Sequence, residues 1–181
     1  TVCGYVSKKT TVYSPKTIKL SKTELTYNGK AQKPSVTVKD SKGNTLKKDT
    51  DYTVTYASGC KNPGKYTVKI TFKGKYSGTK TLSFTIAPSK VTLSKVTAGK
   101  NLATPVWKTV TGASGYEVQY STSKKLTNAK KTTVSKGSST KTTIKKLTKG
   151  KTYYIKVRAF KTVDGKKIYG AWSAVKSVKV K

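Results

Sequence analysis

The chain has 181 residues, 34% of them hydrophobic, with 39 basic residues against six acidic ones and a formal net charge of +33. This length allows one or two domains that each bury a core. The sequence contains no histidine and no run of 18 apolar residues, so it lacks the usual base of a nucleophilic catalytic site and has no transmembrane helix.

Residues 1–16 are polar and lysine-rich, and we expect an N-terminal strand or a linker there. They contain Cys3, and the only other cysteine is Cys60. One cysteine pair in a β-rich chain predicts a single disulfide, which would close a loop of about 58 residues and stabilise the fold by about 4 kcal/mol. Two unpaired thiols are the alternative. The spacing fits neither a metal site nor a redox Cys-x-x-Cys pair.

Short segments with alternating apolar residues follow between residues 17 and 87. They predict strands at residues 17–20, 25–27, 35–39, 51–56, 65–73 and 82–86. The turn signals between them include Asn28-Gly29. Tyrosine, threonine and valine are strand formers, and no helical period occurs. The pattern therefore predicts an all-β protein built as a sandwich.

Four segments of this half carry a family resemblance: residues 27–34, 51–56, 63–66 and 72–78. In their order and spacing they resemble the repeated immunoglobulin-like modules of Gram-positive surface and secreted proteins. The resemblance implies a first β-sandwich domain over residues 1–88. Cys60 is not part of that pattern, so the resemblance gives the disulfide no support.

Ala87-Pro88-Ser89 interrupts the strand pattern, and we place a domain boundary there. The second domain, residues 89–181, begins with Val91 and Leu93 in its first predicted strand. Further strands are predicted at residues 102–107, 116–120, 131–134, 141–145, 153–160 and 168–180.

The stretch from Leu147 to Phe160 is predicted to hold the central strand of this domain. Ile155 and Val157 alternate with outward residues such as Arg158. Leu147 precedes Tyr153 by six residues across a turn, a spacing that lets the tyrosine fold back and fix a sheet corner.

These features resemble the fibronectin type III domain. The residues that carry the resemblance are Trp107, residues 115–118, Leu147 with Tyr153, residues 154–159 and residues 169–173. The closest similarity is to type III repeats of clostridial cell-wall proteins, adhesins and wall hydrolases. Pro105 departs from the pattern and predicts a bulge or a local edge, because proline cannot donate to the ladder. No Arg-Gly-Asp sequence occurs, so the integrin binding of animal relatives is not implied.

Arg158 is the only arginine beside 38 lysines. We expect its guanidinium to stack on Trp172, with Lys156 nearby, because lysine stacks less well on an indole. A ligand-binding aromatic is the alternative. We predict no catalytic, cofactor-binding or metal-binding residues: Asp49 and Asp51 are flanked by lysines, a poor calcium site, and no two other acids group together.

The leading hypothesis is a non-catalytic extracellular module pair of a bacterial surface or secreted protein, monomeric within a longer chain, acting as a spacer or interaction arm. A cell-wall polymer, a glycan or a protein would be its partner. The alternative is a module that binds anionic polymers such as teichoic acid or acidic glycans through its lysines. Carbohydrate recognition by aromatics such as Tyr76 or Tyr169 is a third. Specific nucleic-acid binding is not expected, because lysine lacks the planar fork of arginine.

Overall fold

A computed structural model describes residues 13–181, and within that range it contains strands, turns and loops but no helix. The predicted all-β class is confirmed. None of the described residues therefore forms a helix that could cross a membrane. Cys3 and most of the predicted N-terminal strand lie outside the described residues.

Strands β1 to β6 come from the first half of the chain. Their bounds are Thr17–Leu20, Glu24–Thr26, Val36–Lys39, Tyr52–Tyr56, Gly64–Phe72 and Thr79–Ala87. β1 pairs with β3, and a second sheet has the order β2-β6-β5-β4. β2 runs parallel to β6, whereas β4 and β5 are antiparallel. Each strand predicted in this half is present, with bounds that differ by a few residues.

Alternation along β5 places its apolar residues in the core. Val68 and Ile70 are fully buried, whereas Lys69 between them is exposed. Two tyrosines use their hydroxyls to hold neighbouring backbone: Tyr52 donates to the carbonyl of Val36 at 3.3 Å, and Tyr56 donates to that of Pro34. A tyrosine ring thus fills apolar space while its polar end bonds a loop.

Strands β7 to β13 come from the second half. Their bounds are Leu93–Gly99, Leu102–Trp107, Gly115–Ser121, Lys130–Val134, Thr152–Val163, Lys166–Tyr169 and Lys176–Lys179. β7 pairs with β8, and a five-stranded sheet has the order β10-β9-β11-β12 with β13 also paired to β11. β11 is the central strand, as predicted.

The strand predicted at residues 141–145 is reduced to two isolated bridges to β8, one at Lys141 and one at Ile144. Pro105 explains the gap between them. Thr142 donates to the carbonyl of Pro105 at 3.3 Å, but Pro105 has no N–H to return. No bulge occurs at Pro105, which pairs in register with Val96; a register shift lies instead in the partner strand β7, between Leu93 and Lys95.

Trp107 and Tyr116 form the centre of the second core. Trp107 is 2% exposed, Tyr116 is fully buried, and their ring centroids are 5.2 Å apart. The Tyr116 hydroxyl accepts from the amide of Val110 and donates to the carbonyl of Gly137, both at 2.9 Å. The ring therefore ties two loops to the core.

The predicted sheet corner is present at the start of β11. Leu147 is 4% exposed, and the amide of Thr148 donates to the Tyr153 hydroxyl at 3.2 Å. Asn101 closes the same turn from the other side, because its carbonyl accepts from the Leu147 amide and its side chain donates to the Leu147 carbonyl.

The described residues fall into two compact units. The first contains residues 13–23, Lys33–Cys60 and Tyr66–Phe84, and the second contains Glu24–Gln32, Lys61–Lys65 and Thr85–Lys181. Short segments of the first half, among them β2, therefore group with the second unit. A single boundary near residue 88 stays a prediction.

Tyr153→Phe should lower the free energy of unfolding by about 0.5–1.5 kcal/mol, because it deletes the hydrogen bond that closes the corner and keeps the ring. Urea denaturation followed by tryptophan fluorescence measures the change. Tyr154→Phe is the matched control, since Tyr154 is the next residue of β11 and lies on its other face. Equal losses in the two variants would show that the corner bond adds nothing.

Candidate functional site

Trp172 lies beside Arg158 because the segment between β12 and β13 is tied along β11. Gly170 donates to the carbonyl of Ala159 at 2.9 Å, and Ser173 donates to that of Val157 at 2.8 Å. The Ser173 hydroxyl also accepts from the Val157 amide at 3.0 Å. These three hydrogen bonds, made by Gly170 and Ser173, hold the Trp172 side chain next to the outward face of β11.

The guanidinium of Arg158 lies between two aromatic rings. Its central carbon is 4.4 Å from the ring centroid of Trp172 and 3.6 Å from that of Tyr169. The Lys156 ammonium lies 4.6 Å from the Trp172 centroid. Each contact is well inside the roughly 6 Å limit of a cation–π interaction. The expected stack on Trp172 is thus present, and Tyr169 adds a second ring.

The line of stacked rings and cations continues beyond Tyr169. Its ring meets Phe160 edge-on at 6.0 Å between centroids, and the Lys167 ammonium lies 4.3 Å from the Phe160 centroid. We call the set the Arg158 stack; its members are Lys156, Trp172, Arg158, Tyr169, Phe160 and Lys167. Contacts of this kind are worth about 0.5–1 kcal/mol each at an exposed site.

Glu117 anchors the stack from the neighbouring strand. It lies directly opposite Arg158 in the β9–β11 register and is only 7% exposed. Its Oε1 accepts from Nη2 of Arg158 at 2.7 Å and from Nε at 3.0 Å, and its Oε2 accepts from the Tyr169 hydroxyl at 3.3 Å. Lys131 is a weaker partner at 3.8 Å, and its side chain is 53% exposed.

The environment of Tyr169 favours its neutral form. Burial raises the pKa of this phenol, and the negative charge of Glu117 raises it further, against the opposing charge of Arg158. Tyr169 therefore acts as a hydrogen-bond donor to the carboxylate.

These contacts suit the site to holding strands rather than to chemistry. Glu117 accepts three hydrogen bonds, and through them it joins β9 to Arg158 of β11 and to Tyr169 of β12. The rings are occupied as well: Tyr169 is covered by Arg158, and Tyr76 in the first half is only 5% exposed. The third possibility, sugar recognition by these tyrosines, requires exposed rings, and Tyr76 is buried while Arg158 covers one face of Tyr169.

The other singled-out residues lie elsewhere. Trp107 belongs to the second core, and Leu147 and Tyr153 form the corner at the far end of β11. The sequence interpretation missed Glu117 and Tyr169 as partners of Arg158. A signal was present, because Glu117 is an acid on the outward face of its strand and the lone arginine is on the outward face of another. The register that puts them opposite each other was not readable.

The disulfide predicted between Cys3 and Cys60 involves one residue outside the described part of the chain. Cys60 is a free, fully buried thiol that donates to the carbonyl of Ala57 at 3.0 Å. Cys3 lies outside the described residues. Burial raises the pKa of the Cys60 thiol, opposed by the charge of Lys33. Cys60 is thus a small core residue with its hydrogen bond satisfied inside its own loop.

Asp51, one of the two acids flanked by lysines, and Asp40 both serve turns. Asp40 accepts from the amides of Lys42 and Asn44, both at 2.9 Å, and Asp51 accepts from the Lys47 amide at 2.8 Å. Within residues 13–181, no three acidic or cysteine side chains group as a metal site would require.

Comparison with known proteins agrees with this architecture. Residues 86–174 match the family model of the fibronectin type III domain. The two-domain fibronectin type III segment of chicken tenascin is similar in structure, with a TM-score of 0.59 at 20% identity over 92% of this chain and 99% of that chain. The FN1–FN3 domains of chicken CNTN1 match with a TM-score of 0.48 at 18% identity, over 94% of this chain and 68% of that chain. No curated protein matches the chain.

The tenascin likeness supports the fold, namely an all-β chain of sandwich modules. The family match covers the second half, including every member of the Arg158 stack and the corner formed by Leu147 and Tyr153. Fibronectin type III domains are generally non-catalytic structural modules, typically extracellular.

Arg158→Lys should lower the free energy of unfolding by about 1.5–3 kcal/mol, because a lysine cannot span two rings and still satisfy a buried carboxylate. Urea denaturation measures the loss. Lys131→Gln removes an exposed partner of the same carboxylate, and we expect a change within about 0.5 kcal/mol. A comparable loss in both variants would contradict the assignment of the pair to Arg158.

Tyr169 should stabilise the fold at neutral pH and lose that contribution in alkali. Its folded pKa is raised above the ordinary value of 10.0, so its contribution is fully present below the unfolded pKa and is lost as pH rises through the folded one. The stability difference between wild type and Tyr169→Phe should therefore shrink above about pH 10, as measured by urea titration at several pH values. A constant difference would mean that the phenol titrates alike in both states.

Proposed function

We propose that this chain is a non-catalytic segment of a bacterial surface or secreted protein that acts as a spacer or adhesion arm. The observation that carries the proposal is the run of β-sandwich modules, of which the second matches the fibronectin type III family. In both halves the polar side chains that sequence reasoning singled out serve turns, corners and ion pairs. A module of this kind separates or presents other parts of a protein.

The lysines on the outer strands of the five-stranded sheet support a chain that does not pair with other sheets. Each of these strands carries two exposed lysines. They are Lys130 and Lys131 in β10, Lys166 and Lys167 in β12, and Lys176 and Lys179 in β13. Exposed lysines on outer strands oppose pairing with a second sheet. An extended segment that must stay monomeric in a longer chain benefits from such protection.

The bacterial origin rests on the first half. The order and spacing of residues 27–34, 51–56, 63–66 and 72–78 resemble those of the immunoglobulin-like modules of Gram-positive surface proteins. These segments form strands, turns and loops.

Surface labelling tests the proposal. Antibodies against the purified chain should bind intact cells of the producing organism, and brief protease treatment of those cells should remove the signal. A cytosolic protein of the same organism is the control, which should stain only after permeabilisation. Signal confined to permeabilised cells would overturn the extracellular role.

A further inference from the structure

A cleft opens at one end of the five-stranded sheet, where β9 ends and where β10 and β11 begin. Its volume is about 340 Å³. Lys130, Lys145, Lys146, Asn128 and Tyr153 line it together with Tyr120. That volume falls at the lower end of the roughly 300–1,000 Å³ typical of small-molecule sites, enough for one small polar group and its neighbours.

The cleft is positive and has no carboxylate in its lining. Residues 89–181 contain 22 basic residues but only two acidic ones, Glu117 and Asp164, and the second unit adds Glu24, which lines a separate hollow with Lys167 and Tyr169. Glu117 is held by Arg158. Asp164 follows the other end of β11, eleven residues from Tyr153, which corresponds to roughly 35 Å of extended strand. Three ammonium groups therefore act on the cleft without a local counter-charge.

Lys146 occupies an unfavourable backbone conformation. Its φ is +59°, and it is the only lysine with positive φ in residues 13–181. Asparagine tolerates this region, and Asn128, which also lines the cleft, adopts φ +50°, but a lysine there is uncommon. Glycine would meet the backbone requirement at lower cost. Strain at a residue whose side chain lines a cleft points to a use for that side chain.

The pKa of Tyr153 includes a contribution from one lysine of the cleft. Its pKa is lowered first by the backbone amide of Thr148 and by the Thr148 side chain, and also by the charges of Lys130 and Lys151. Of these groups, the Lys130 ammonium lines the cleft, and its charge also favours an oxyanion placed there. Because Tyr153 accepts its hydrogen bond from Thr148, its own proton is left to donate.

We propose that this cleft binds one phosphate group of an extracellular polyol-phosphate polymer. Lysine ammonium groups are compact charges that suit a phosphate approached from several directions. The Asn128 amide and the Tyr153 hydroxyl can bond the phosphate or a neighbouring polyol hydroxyl. Nucleic acid fits less well, since the lining rings of Tyr120 and Tyr153 are partly buried and offer no open stacking platform.

The binding proposal goes beyond the spacer role. If the cleft fails to bind phosphate, the spacer role still holds. Calorimetric titration of the full chain with an oligo(glycerol phosphate) at physiological salt tests it. The variant Lys130→Gln/Lys145→Gln should bind about tenfold more weakly than wild type. The control Lys108→Gln/Lys136→Gln has the same net charge but alters exposed lysines outside the cleft, so it should change affinity by less than about twofold. Equal losses would mean diffuse attraction and would overturn the site.

Lys146→Gly separates binding from folding. We expect weaker binding together with an unchanged or higher Tm, because glycine relieves the backbone strain. A fall in Tm with unchanged affinity would show that Lys146 is structural and would remove it from the site.

Three further titrants identify the ligand class: inorganic phosphate, an oligogalacturonate and a single-stranded oligodeoxynucleotide. Weak binding of inorganic phosphate that is lost in the cleft variant supports the phosphate assignment. Tighter binding of the polyuronate or of the oligonucleotide, with the same loss in the cleft variant, would overturn the polyol-phosphate assignment.

Discussion

The ion pair between Glu117 and Arg158 sets the arrangement of the larger sheet in the second half. A carboxylate that is 7% exposed is costly unless its oxygens are bonded, and Arg158 and Tyr169 together supply those bonds. The pair is satisfied only when β9 and β11 adopt the observed register, since a slip of one residue would turn one partner into the core. β11 in turn pairs with β12 and β13 as well as β9. One polar contact therefore fixes the strand against which the others align.

Tyrosine does much of the remaining work of holding loops. Tyr116 and Tyr153 place their rings against the second core while their hydroxyls bond the backbone of a loop. Tyr52 and Tyr56 do the same in the first half. With only 34% hydrophobic residues, the chain relies on side chains that fill apolar volume and also satisfy buried polar groups. This use accounts for 12 tyrosines beside three phenylalanines.

The strands and the corner could be predicted from the sequence because they depend on local spacing. Alternation defined β5 and β11, and the interval between Leu147 and Tyr153 defined the corner. The missed features depend on distant contacts. Glu117 meets Arg158 only through inter-strand register, and the segment at 141–145 fails as a strand because Pro105 lies opposite it. The disulfide was inferred from composition alone, whereas Cys60 bonds a carbonyl three residues away.

The carboxylates and the lysines of this chain have different roles. Asp40 and Asp51 accept backbone amides in turns, and Glu117 accepts from Arg158 and Tyr169. Each of these carboxylates serves as an acceptor that the fold uses, and lysine dominates the rest of the charged surface. Most of those lysines act together over a Debye length of about 10 Å and carry no positional information. Lys146 differs, because its backbone is strained where a glycine would not be. Position and strain, rather than net charge, therefore separate a binding lysine from a solubilising one.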